Sequence, residues 1–343
     1  MKGMHTPGTS TLVFWGLLAS VGIAALVSTA HATAPGKNGA IAFKRYSDSG
    51  RSTGAIFIVD ASGKAEQQVT DPARDLVDDQ PDWSRDGSLL VFYRSEIPSA
   101  IYTVKPDGSD LTRLSPPCSA SGSDIETKCE DGANASFLPD GKRVVYTRST
   151  GKVRHFPGWD QIKYSDIVVR DVNGGDPRVL IRSRPFEAGH YYPHFSPDGA
   201  RFVYVRENSP LTKPVKAHAI FVARANGSRR HRITPWSLDA GDNPDWSPDG
   251  KLIVFRSYEG GAKQSQIYVI RPDGSGLRPL THFKAGTTVL SYSFSPDGKW
   301  ITFAKSGRGG EPDIFVMRAN GTNVRPVTRS VLWDSAPDWG AAG

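Results

Sequence analysis

Cysteine is nearly absent. The 343 residues hold two, Cys118 and Cys129, in the polar stretch "PPCSASGSDIETKCEDG". Two thiolates ten residues apart with no histidine nearby make a poor zinc site. A local disulfide closing that loop is the expectation for a chain that reaches an oxidising compartment. Long runs of one charge are also missing. The net charge is +7, but the basic residues are scattered and the densest cluster is Arg229-Arg230-His231-Arg232. Such a pattern argues against a nucleic-acid-binding tail. The signatures H-E-x-x-H, the phosphate loop, the dinucleotide G-x-G-x-x-G and the EF-hand loop do not occur, which removes the helix-borne metal and nucleotide chemistries that depend on them.

One apolar run is present. Leu12 to Val27 carries no charge, follows Lys2 and precedes the small-x-small triplet Ala30-His31-Ala32. This is the form of a secretory signal peptide over 1–32, with a mature chain from about Thr33. Sixteen apolar residues fall short of the about 20 that a membrane span needs. No cysteine lies near the cleavage point and no Arg-Arg pair precedes the run. The expected destination is the periplasm or the exterior, without a membrane span once the signal is cleaved.

The mature chain is built on repetition, which is sought before anything else. "DNPDWSPDGKLIVFRS" from Asp242 has counterparts beginning at Asp78, Gly132, His190 and Val289. In each, an aromatic (Trp83, Phe137, Phe195, Trp246, Phe294) stands four residues before a turn glycine (Gly87, Gly141, Gly199, Gly250, Gly298), and alternating apolar residues follow. That is a strand, a tight turn and a half-buried strand. A second hairpin recurs behind the first, as in "QIYVIRPDGSGLRPLT" from Gln266, with Asp-Gly or Asn-Gly at the turn. Six such second hairpins occur, the weakest starting at Ala55. Four strands at a period of about 50 residues make a β-propeller blade.

The fold class read from this is all-β, a six-bladed propeller of four-stranded antiparallel blades over 33–343. The chain opens at "GKNGAIAFKR", which lacks the aromatic strand, and ends in "WDSAPDWG", which is that strand alone. The two ends are therefore expected to share one blade. Such closure leaves no sheet edge free across the ring.

The repeated P-x-W-S-P-D-G followed by I-Y-V and a D-G turn resembles the WD40-like propeller repeat of the TolB family. The resemblance covers nearly the whole mature chain and implies a propeller scaffold that contacts envelope proteins. The stretch from Thr33 to Ala40 leaves no room for the N-terminal α/β domain of that family, so contacts made by that domain are not carried over.

No catalytic residue is assigned. Gly50-Arg51-Ser52-Thr53-Gly54 satisfies G-x-S-x-G, but it lies in a polar hairpin loop rather than at the strand-to-helix elbow an esterase needs. The residues four and five before each aromatic lead into the innermost strands. Asp79, His190, Asp242 and Asp334 are expected to ring the channel mouth, with Tyr191, Tyr192 and His194 beside them. Such a ring can hold a divalent cation or a small ligand; its carboxylates can equally serve as acceptors that shape the loops. Asp82, Asp245 and Asp338, each directly before a tryptophan, are read as structural.

Two insertions break the rhythm, Thr150 to Tyr164 and Glu207 to His218. They place Arg154, His155, Phe156, Trp159, Lys213 and Lys216 on one rim as a partner surface. The leading functional expectation is a monomeric, exported, non-catalytic propeller that binds a protein or an envelope component and does not bind nucleic acid. The alternatives are a metal-assisted polysaccharide lyase or hydrolase at the channel mouth, and an ion- or small-ligand-binding propeller.

Overall fold

The computed structural model describes residues 35–118, 129–156, 159–183, 189–208, 217–257, 265–307 and 310–343, with the backbone alone over 150–156 and 159–164. The signal segment, Lys213 and Lys216 lie outside the described residues. Among the described residues no helix is long and apolar enough to cross a membrane.

Six four-stranded antiparallel sheets make the fold. The first strands of the blades are β4 (Asp78–Trp83), β8 (Asp131–Phe137), β12 (His190–Phe195), β16 (Ala240–Trp246), β20 (Thr288–Phe294) and β24 (Asp334–Ala341). Each contacts the next, and β20 and β4 both contact β24, so the six close a ring around an axis. The blade that closes it is mixed: β24 pairs with β1 (Asn38–Tyr46), which continues through β2 (Gly54–Val59) to β3 (Gln67–Gln68). The shared blade expected from the two chain ends is therefore present.

Local chemistry makes the hairpins. In "SPDGK" the Asp249 carboxylate accepts the Ser247 hydroxyl at 2.7 Å and the Lys251 N–H at 3.1 Å, and Gly250 takes φ +68°. Only glycine enters that backbone region without cost, so the turn is written into the tripeptide. The aromatics before the turns pack between sheets. Trp246, fully buried, shares one cluster with Val203, Val205 and Ile220 of the preceding blade. In five blades the outermost strand is only two residues long, such as His231–Arg232 and Arg278–Pro279. Short edges carrying charge and proline resist pairing with other chains.

A second device recurs on the inner strands, and the sequence pattern does not reveal it. In β12, His190 pairs with Arg206 and Tyr191 with Val205, but His194 pairs with Val203. The pairing slips by one residue at Tyr192, which sits at φ +53°. One-residue slips at matching positions go with Gln80 (φ +54°), Asn134 (φ +54°) and Ala336 (φ +54°), while in β16 Asp242 (φ +55°) and Asn243 (φ +42°) accompany a slip of two residues. A bulge reverses the inward-outward phase of everything after it. Simple alternation puts His190 and His194 on one face; the bulge puts them on opposite faces.

The strand directions sort the connections. Turns with Asp-Gly or Asn-Gly line the lower rim. The upper rim carries the starts of the first strands and the links between second and third strands. There the Thr150–Tyr164 insertion is a continuation of the sheet rather than the expected loop. β9 (Arg143–Phe156) and β10 (Trp159–Asp171) stay paired out to Phe156 and Trp159, whereas the matching β17 (Ile253–Ser257) and β18 (Gln266–Ile270) have five residues each. Cys118 and Cys129 are joined by a disulfide with Cα atoms 5.4 Å apart, in the connection between β7 (Thr112–Arg113) and β8.

Candidate functional site

Asp79, His190, Asp242 and Asp334 do not lie in one layer. Asp334 and His190 are opposite Arg45 and Arg206 in the ladders, and Asp79 is opposite Tyr93 on the other face of its strand. Each has a definite partner. Asp334, fully buried, takes Arg45 side-on, with Nε to Oδ1 at 2.7 Å and Nη2 to Oδ2 at 2.8 Å. Burial raises its pKa, and the guanidinium acts against that rise. Asp78 and Arg94 repeat the arrangement at 2.6 and 2.8 Å. Asp79 receives Lys44 Nζ at 2.6 Å and the Tyr93 hydroxyl at 3.4 Å. Asp242 forms an ion pair with Arg256. Tyr191 is half-buried, and burial raises the pKa of its phenol.

His190 is 2 % exposed and its Nδ1 lies 2.9 Å from Ser183 Oγ. The Ser183 hydroxyl donates to the Ser165 carbonyl at 2.6 Å, so it accepts from His190 Nδ1–H. That direction of donation is the reverse of what a general base needs to activate a serine. Ser52 of the G-x-S-x-G stretch lies between β1 and β2 and donates to Asp48 at 3.0 Å, away from any helix.

The channel wall itself is made one step further along each strand, by the residue directly before the aromatic: Asp82, Ser136, His194, Asp245, Ser293 and Asp338. They stitch each blade to the next. Asp338 Oδ2 accepts the Trp83 N–H at 2.9 Å, Asp82 Oδ2 accepts Phe137 N–H at 2.7 Å, and Asp245 Oδ2 accepts Phe294 N–H at 2.9 Å. Ser136 donates to the Pro193 carbonyl at 2.7 Å, and Ser293 donates to Asp338 at 2.7 Å across the closing seam.

Most of these residues line two adjoining cavities on the axis, Ser293 bordering one of them. Asp82, His194, Asp245 and Asp338 border both. Burial, with the Asp338 charge added, pushes the Asp82 carboxyl well above its ordinary range, and burial raises Asp338 as well. Burial lowers His194 to about 4, so it is neutral at pH 7. Its Nε2 is 3.1 Å from Asn243 Oδ1, and its Nδ1 stands 3.9 Å from Asp82 and 4.0 Å from Asp245. Oxygen-rich surroundings of this kind suit a hard cation or a polar ligand. Among the described residues, however, no three His, Cys, Asp or Glu side chains converge as a ready ligand set.

Comparison with known proteins agrees with the propeller fold. The TolB beta propeller domain family matches residues 158–343, more than half of the chain. The chain belongs to that family. Among curated relatives, a protein TolB homolog of Chlorobium luteolum is 31% identical over 180 residues, covering 52% of this chain and 36% of its own length. A Tol-Pal system protein TolB of Francisella tularensis subsp. mediasiatica is 26% identical over 129 residues, 37% of this chain and 29% of that one. The chain thus spans about a third of the length of the curated relatives it matches. The crystal structure of TolB from Acinetobacter baumannii superposes with a TM-score of 0.65 at 17% identity, over 89% of this chain and 67% of that one. A propeller in a nidogen/laminin complex superposes at 0.60 with 10% identity, over 88% and 98%. At such identities the solved structures speak for the fold alone.

In this TolB-type propeller the end of the second strand holds a cation on the upper rim in five blades: Arg45, Arg94, Arg148, Arg206 and Lys305. In β17 that position is Ser257, and the buried Arg256 stands one residue earlier, opposite Ile267. Composition hides these cations, because each of those five blades contributes one and a blade repeat or more separates them. Aligning the repeats at the residue before the aromatic would also have shown the channel wall. Asp82, Asp245 and Asp338 are structural, as expected, and they face the channel too. Arg154, His155, Phe156 and Trp159 belong to the raised β9–β10 ribbon.

Proposed function

We propose that this chain is an exported, non-catalytic TolB-type propeller that binds a protein or another envelope component through its upper rim. The observation that carries this reading is the asymmetry of the two rims. The lower rim is tight turns, while the upper one bears the β9–β10 ribbon and the two most exposed large apolar side chains among the described residues, Val331 at 92 % and Ile97 at 87 %. Loops on a rigid scaffold are where recognition concentrates. The relatives' membership of the Tol-Pal system supports an envelope role, and the Leu12–Val27 segment supports export. The test is capture of partners from envelope extract by the full mature chain and by a variant lacking 150–164. Loss of the captured protein on deletion supports the ribbon as the contact; an unchanged capture set removes it.

A second reading is a channel that takes up a cation, favoured by the three carboxylates Asp82, Asp245 and Asp338 that border the axial cavities. Elemental analysis of the purified protein, with Asp82→Asn as control, tests it. Absence of a stoichiometric metal after incubation with calcium or manganese removes both this reading and a metal-assisted lyase.

A further inference from the structure

Five homologous cations stand on the upper rim, and the blades treat them differently. Arg45 and Arg94 are held side-on by Asp334 and Asp78. Arg148 pairs with Asp166 at 3.2 Å. In the fourth blade the first-strand residue facing the cation is His190, which is turned to Ser183. Arg206 therefore has no carboxylate within ion-pair distance among the described residues. Its guanidinium lies 5.5 Å over the Phe221 ring, which fixes its plane. Its Nε is sealed from solvent with no acceptor, while the side chain as a whole is partly exposed.

We infer that Arg206 is a preformed receptor for a carboxylate on an acidic polypeptide, bound through its outward terminal nitrogens. The inference rests on the partner-binding reading above and names the chemistry of the partner. Two features favour a carboxylate. The same molecule uses carboxylates for the same guanidinium position in two other blades, in the bidentate geometry that planar forks select. The neighbouring blade also adds charge of the same sign. Its ribbon, residues 150–164, contains Lys152, Arg154 and Lys163 against Asp160 alone. The base of that ribbon abuts His190, since the Thr147 hydroxyl donates to the His190 carbonyl at 3.5 Å. A rim with fixed, uncompensated positive charge selects acidic partners and repels basic ones.

The test uses the full mature chain and a fluorescein-labelled hexaglutamate peptide, read by fluorescence anisotropy, with hexaglutamine as the neutral control. Hexaglutamate is expected to bind, hexaglutamine not, and Arg206→Gln to weaken binding by about tenfold, the scale of one charge-assisted contact. Lys251→Gln, an exposed cation on the lower rim, is expected to leave it unchanged. The inference is overturned if Arg206→Gln binds like the wild type, or if Lys251→Gln weakens binding equally, which would mean net charge alone. It is also overturned if phosphatidylglycerol vesicles bind in an Arg206-dependent way while hexaglutamate does not. Thermal unfolding of Arg206→Gln confirms that the variant is folded. Envelope capture that persists in Arg206→Gln while the peptide fails to bind would sink the carboxylate receptor and leave the scaffold reading standing.

Discussion

Asp338, in the last strand of the chain, accepts the backbone N–H of Trp83 in the neighbouring blade at 2.9 Å and the hydroxyl of Ser293 at 2.7 Å. One carboxylate thus ties three blades together at the point where the ring closes. Asp338→Ala leaves the Trp83 N–H without an acceptor, at about 1–3 kcal/mol, and leaves the Ser293 hydroxyl only the longer contact to the Phe294 carbonyl at 3.2 Å. Asp338→Asn keeps one acceptor oxygen and is expected to cost less. Urea unfolding of the two variants checks the order; equal losses would mean that the seam does not depend on this acceptor.

The channel wall makes stability depend on pH from both sides. Asp82 and Asp338 have folded-state pKa values raised by burial. Their contribution is fully present below the unfolded value of about 3.9 and is lost as pH rises through the folded values. His194 works in the opposite sense. Its value falls from 6.5 to about 4, so the stability of the neutral ring is present above 6.5 and is lost as pH falls toward 4. A shift of that size corresponds to about 3 kcal/mol. Urea midpoints across the pH range should show the alkaline arm flattened by Asp82→Asn and the acidic arm flattened by His194→Gln.

Replacing His190 by aspartate supplies Arg206 with the carboxylate that Arg45 and Arg94 already have. The exchange gives up the Ser183 contact and gains a charge-assisted pair, with an expected net gain of about 1 kcal/mol. A raised melting temperature in His190→Asp, absent in His190→Asn, is the signature. A fall in both would show that the imidazole packing against Tyr204, with centroids 5.7 Å apart, outweighs the pair.

The Cys118–Cys129 bridge closes a short loop just before the first strand of a blade. Loops of this length stabilise by about 2–3 kcal/mol when cross-linked. Cys118→Ser with Cys129→Ser should lower the denaturation midpoint by that amount. Reducing agent should do the same to the wild type and nothing further to the double variant.

Much of the fold was legible in the sequence because its causes are local. Asp249-Gly250 makes its own turn, Trp246 announces a buried strand, and the recurrence of both counts the blades. The unmatched ends "GKNGAIAFKR" and "WDSAPDWG" even foretold the seam. The candidate site was less legible. Asp79 and Asp334 look alike in the repeat, yet one faces Tyr93 and Lys44 while the other is buried under Arg45.

The sequence by itself determined a closed ring of six four-stranded blades, since turn chemistry and period-two alternation act within a few residues. Tertiary structure alone decided which polar side chains face the channel. The phase changes at bulges carried by Gln80, Asn134, Tyr192 and Ala336, a slip of two residues falls at Asp242 and Asn243, and no common residue type marks the site. It likewise decided which rim cations are neutralised. Arg45 meets Asp334 across 289 positions of chain, while Arg206 meets a histidine, and only the pairing of strands brings those choices together.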